Sequence, residues 1–98
     1  MTPGAEPEPL AATTAPRHAS HIAERWINGD LVLYDPARAR LHLLNATAAV
    51  AWSLCDGTRD LTAIATALAE RFPASRLAIA ADVAELVRRL ADDGLLVW

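Results

Sequence analysis

Residues 41–54 read LHLLNATAAVAWSL, a short strand, a cap and a helix with no gap between them. Leu41, Leu43 and Leu44 supply the strand, interrupted by His42. Asn45 is a good N-cap, because its side-chain oxygen can accept a free N–H of the first helical turn. Ala46 to Leu54 follow, nearly apolar all round apart from Thr47 and Ser53. A short helix with apolar residues on most faces must be buried. This stretch is core, and its neighbours pack around it.

Upstream, Ser20 to Ile27 suits a strand, with Ile22, Glu24 and Trp26 on one face and Ala23, Arg25 and Ile27 on the other. Asn28-Gly29 is a strong hairpin signal, since both residues tolerate positive φ. Leu31 to Tyr34 is the returning strand. Asp35 to Ala39 form a second turn, with Pro36 presetting φ, and Arg40 to Leu44 is a third strand. Three short strands joined by tight turns make an antiparallel meander.

Downstream, Asp56-Gly57 ends the first helix, and Asp60 can cap a second. Leu61, Ile64, Ala65, Leu68 and Phe72 share one face of that helix, which Pro73 stops. Ser75 can cap a third, running to about Asp92 with Gly94 just past its end. In the third helix Ile79, Val83, Leu86 and Leu90 form one apolar stripe. Ala80, Ala84, Val87 and Ala91 form a second beside it, and together they span roughly 160°. The first stripe suffices for docking on a core. The second is available either for more core or for a shallow groove. Leu95 to Trp98 is a short, strand-like apolar tail. The fold expected is α+β and winged-helix-like, a three-stranded antiparallel sheet followed by three helices.

The chain has 98 residues, 53% hydrophobic and 21% charged, which fits one globular domain. Residues 1–16 hold four of the six prolines and little to bury, so they are expected to be a disordered N-terminal tail ahead of a domain at 17–98. No apolar run is long enough to span a membrane, and no signal peptide is evident. The single cysteine, Cys55, fits a reducing cytoplasm. Net charge is −3, and all nine basic residues are arginine. Nucleic-acid binders ordinarily gather positive excess on one surface, so nucleic acid is not expected as a partner, nor is a membrane.

Catalysis finds little footing. His18, His21 and His42 form no cluster with metal spacing, and no glycine-rich phosphate loop exists. Cys55 stands beside Asp56, an acid that raises a thiol pKa rather than lowering it. Neither a cofactor nor a metal is expected, and the chain does not read as an enzyme. A sheet this small leaves an unpaired edge, and such an edge can accept an extended peptide by strand addition. Should the third strand lie beside the third helix, the spare apolar stripe becomes a pocket wall.

The ordered set LVLYDP (31–36), LHLLN (41–45), the Ala-rich helix with Trp52, Cys55-Asp56-Gly57-Thr58, LTAIATALAERF (61–72) and ADVAELVRRLADDGLL (81–96) resembles the PqqD family, also called the RiPP recognition element. Pro73 directly after Phe72 and the long N-terminal tail depart from that pattern. The resemblance implies a non-catalytic protein that binds the leader segment of a ribosomally made precursor peptide and presents it to a modifying enzyme. In pyrroloquinoline quinone synthesis that enzyme is a radical SAM protein. It further implies a leader added against the third strand, beside the third helix. The residues so marked are Arg40, Leu41, His42, Leu43 and Leu44 on the strand. On the helix they are Val83, Leu86, Val87 and Leu90, with Ala84 close by and Arg89 as a rim charge. A winged-helix DNA-binding regulator is the alternative. It is disfavoured because the third helix offers Arg88 and Arg89 against four acids. An open edge also makes a homodimer a candidate assembly.

Overall fold

Asn28 and Gly29 both take positive φ, 53° and 88°, the backbone that a two-residue turn needs to match strand twist. The turn joins β2 (Ala23–Ile27) to β3 (Asp30–Asp35) in a computed structural model that describes residues 11–72 and 76–98. A second turn leads to β4 (Arg40–Leu44), and the sheet order is β2-β3-β4, antiparallel throughout. That second turn is held from within. The carboxylate of Asp35, fully buried, accepts the N–H groups of Ala37 (3.0 Å) and Arg38 (3.3 Å). A short polar side chain bonding its own turn in this way is what makes Asp a turn residue.

The period of two along the strands turns Leu31, Leu33 and Leu44 to one face, where all three are buried. Helix α1 (Ala46–Leu54) lies on that face. Its cap is the expected one, with Asn45 Oδ1 accepting the N–H of Ala48 at 2.9 Å. Trp52 is completely buried at the centre of the core. Asp60 caps α2 (Leu61–Arg71) by accepting the Ala63 N–H at 2.8 Å, and Leu61, Ile64 and Leu68 face inward. Helix α3 (Arg76–Asp92) packs on α2 and closes the core with Val83, Val87 and Leu90. Pro73 and Ser75, expected as stop and cap, lie outside the described residues.

Two features differ from the sequence expectation. The first strand begins at Ala23 rather than Ser20, because Ser20 and His21 form a turn. Ahead of that turn, β1 (Arg17–His18) pairs with β5 (Leu96–Val97) as a separate two-stranded sheet. Nothing in the polar pair Arg17-His18 signals a strand; its partner lies about eighty residues away, and only tertiary context creates it. The expected tail lies partly outside the described residues, at 1–10. Residues 11–16 run along the start of α2, where the carbonyl of Thr14 accepts the Leu61 N–H at 3.1 Å and Pro16 is buried.

Past α3, Gly94 adopts φ 77°, and a Cβ there would run into the guanidinium of Arg38. Arg38 Nη1 donates to the carbonyl of Asp93 at 2.8 Å. This contact ties the β3–β4 turn to the C-terminal end of α3.

Candidate functional site

Strand β4 is an outer strand of its sheet, and its far side meets no other strand among the described residues. The register shows which backbone groups that side presents. A two-residue hairpin makes its flanking pair, Ile27 and Asp30, a hydrogen-bonded pair. Antiparallel ladders alternate, so Asp30, Val32 and Tyr34 bond to β2, while Leu31, Leu33 and Asp35 bond to β4. Their partners Leu44, His42 and Arg40 are thereby committed to the sheet. The N–H and C=O groups of Leu41 and Leu43 are left pointing outward, along the open edge.

Two recesses, together a cleft, lie along α3 at the two ends of β4. The first, about 400 Å³, follows Leu44 and is lined by the three helices, with apolar Ala48, Ala51, Leu68, Ile79 and Leu86 and polar Asn45, Thr47, Asp82, Glu85 and Arg89. At the other end Arg38 and Arg40 face Asp92 and Asp93 across a charged recess of about 450 Å³. Between them sits His42. Its Nδ1 is 3.8 Å from the Asp93 carboxylate, and its buried Nε2 has no partner. A buried ring nitrogen without a partner is costly unless something supplies one.

The eleven residues marked from the sequence therefore separate. Arg40, His42 and Leu44 point toward the helices, and Leu44 is core. Leu41 and Leu43 offer backbone to the edge and side chains to the opposite face of the sheet. Val83, Val87 and Leu90 are buried in the core, although Val83 also reaches the groove floor. Leu86 and Arg89 line the cleft. Ala84 faces the other way, with Ala65, Ala69 and Arg88, onto a second groove between α2 and α3. The over-wide apolar stripe of α3 thus has a physical explanation. Its middle row is core and each flank borders a groove. The exposed charges divide the same way, with Asp82, Glu85 and Arg89 bordering the first groove and Arg88 the second.

His18 plays a part that the sequence did not signal. Its ring stacks on Trp52 at 3.8 Å with 7° between planes, and its Nε2–H donates to the Trp52 carbonyl at 2.6 Å. It is a lid on the core. Among the described residues no three His, Cys, Asp or Glu side chains converge to hold a metal ion. Cys55 is buried, and its Sγ–H donates to the Ala51 carbonyl at 3.2 Å. Burial, helped by the charge of Asp56, pushes its thiol from an ordinary 9.0 to about 12. The folded state thus favours the neutral thiol, and stability falls as pH rises above 9.0 toward 12. Cys55 is expected to resist thiol reagents at pH 8 in the native chain and to react once urea unfolds it. Rapid native labelling, followed by absorbance, would contradict this.

Comparison with known proteins gives the family and the fold. The family model for coenzyme PQQ synthesis protein D (PqqD) matches residues 30–96. A PqqA binding protein from Rhodopseudomonas palustris (strain TIE-1) is 38% identical over 85 residues, covering 83% of this chain and 76% of that protein. Two solved structures share the fold. One is the solution NMR structure of the PqqD truncation of Methylobacterium extorquens PqqCD, at TM-score 0.77 and 24% identity, covering 92% of this chain and 96% of that one. The other is a lasso peptide synthetase B1 complexed with the leader peptide, at TM-score 0.76 and 22% identity, covering 87% and 100%.

Proposed function

The chain belongs to the PqqD family, and from that premise we propose that it binds the leader segment of a ribosomally synthesised precursor peptide and presents it to a modifying enzyme. The observation that carries the reading is the open edge of β4, with outward backbone groups at Leu41 and Leu43 beside a cleft. An extended peptide added there gains main-chain hydrogen bonds from the edge and side-chain selection from the cleft. Alternate leader residues then fall into the cleft. An apolar one suits the Leu86 end, and a hydrogen-bonding one suits the charged recess of Arg38, Arg40, Asp92 and Asp93.

The relative named for binding PqqA supports a PqqA-type precursor. With such a precursor the enzyme served is a radical SAM protein. The chain acts by recognition rather than catalysis, and it acts in the cytoplasm, where ribosomal peptides are made. No helix of the described residues is long and apolar enough to cross a membrane.

A titration of the chain with a fluorescently labelled precursor leader tests the reading. Saturable binding near micromolar, about −8 kcal/mol, is expected. Amide signals of Leu41 and Leu43 should shift and gain protection from exchange. A leader that binds only non-saturably, or leaves those amides unprotected, would refute it.

A further inference from the structure

An antiparallel sheet with one face on a core ordinarily turns polar residues to its other face. This sheet does not. The register sets Ile27, Val32, Tyr34, Leu41 and Leu43 together on the face away from the helices, with Tyr34 opposite Leu41 and Val32 opposite Leu43. Leu41 and Leu43 are 70% and 69% exposed, Ile27 49% and Tyr34 40%. No described element covers them. Arg25 and Asp30 stand beside them as charges of opposite sign.

We propose that this outer face is the docking surface for the enzyme that modifies the precursor, separate from the cleft that takes the leader. The proposal rests on the leader-binding reading above. Two observations favour this occupant. The first is size. Side chains exposed to this extent present a patch on the order of 400 Å², the scale of functional patches on monomers. Stable assemblies bury about 800 Å² on each partner. The patch alone is about half of that, so a partner seated here completes its footprint on the surface next to it. The second is continuity. The face runs up to the free edge of β4, and a strand added at that edge prolongs it. The alternate side chains of a bound leader then lie in the same plane as Leu41 and Leu43. A partner seated here touches protein and leader together, so it distinguishes a loaded chain from an empty one. Its matching surface has a flat apolar centre, with polar groups placed for the Tyr34 hydroxyl and the Arg25–Asp30 margin.

The test uses a double variant, Ile27→Lys with Tyr34→Lys, both outside the cleft and the β4 edge. Lysine at 27 stands opposite Asp30, which accommodates it. Three quantities are measured: affinity for labelled leader, binding to the purified modifying enzyme encoded with the precursor (with and without leader), and sedimentation velocity of the chain alone. The expected result is leader affinity within about threefold of wild type, enzyme binding at least about tenfold weaker, and a wild-type monomer. Wild-type binding to the enzyme should also tighten when leader is present.

Unchanged enzyme binding by the folded variant overturns the proposal. So does an equal loss of leader binding, which would make the face part of the leader site. A wild-type dimer dissolved by the substitutions would show that a second copy covers the face. If the wild type binds no leader, the earlier reading fails, while enzyme binding without leader still decides this one. If the double variant does not melt cooperatively, Tyr34→Thr alone carries the same comparison.

Discussion

Leu43→Pro is expected to weaken leader binding by about 30-fold or more while the chain stays folded. Alternation from the Asn28-Gly29 hairpin directs the Leu43 N–H outward, so its loss breaks no bond between β3 and β4. Proline on an edge strand with that side free is tolerated. A guest strand, however, loses a donor, and its carbonyl is left unpaired in the cleft. The cost of an unmade hydrogen bond there is roughly 2–3 kcal/mol, which gives the stated factor. His42→Pro is the informative contrast. Its N–H belongs to the ladder with β3, so that variant should lose stability first. Circular dichroism melts and a leader titration on both variants separate the two effects. Wild-type affinity in a folded Leu43→Pro chain would move the leader off β4.

Trp52→Ala is expected to be the most damaging single change to the fold. The indole is completely buried among α1, the sheet and the other helices. Removing such a side chain costs about 3–5 kcal/mol, a large part of a domain's whole stability. The loss extends to His18, whose ring stacks on the indole and would then cover a void. A melting temperature lowered by about 15 °C or more follows, since each kcal/mol shifts a domain of this size by several degrees. Trp52→Phe should be far milder. It keeps most of the volume and removes an Nε1–H that has no partner. Equal melting temperatures for Trp52→Ala and wild type would contradict this account of the core.

The elements readable from sequence are those whose cause is local. The hairpin at Asn28-Gly29, the caps at Asn45 and Asp60, and the end of α3 before Gly94 each depend on a residue within a turn of the feature. All were expected where they occur. The strand-like character of Leu95–Trp98 was legible and became β5, but its pairing with Arg17-His18 depends on two distant segments meeting, and the polar Arg17-His18 pair carries no pattern of its own. The same limit applies at the site. The strand and helix bordering the cleft were identifiable, but the division of their residues was not. Whether Val87 is core while Leu86 lines the groove depends on the rotation of α3. That rotation follows from its packing on α2 and from the Arg38–Asp93 contact. The outward aim of Leu41 and Leu43 required the register, which only the completed sheet supplies.

The alternation along β4 has an evolutionary corollary. On the proposed docking mode, backbone amides at two positions would grip any extended chain regardless of its sequence, whereas Ile79, Leu86 and Arg89 would be free to vary without touching that grip. Attachment and discrimination would then be mutationally independent. A change of client would require only a few substitutions on one flank of a helix, with each intermediate still holding a peptide.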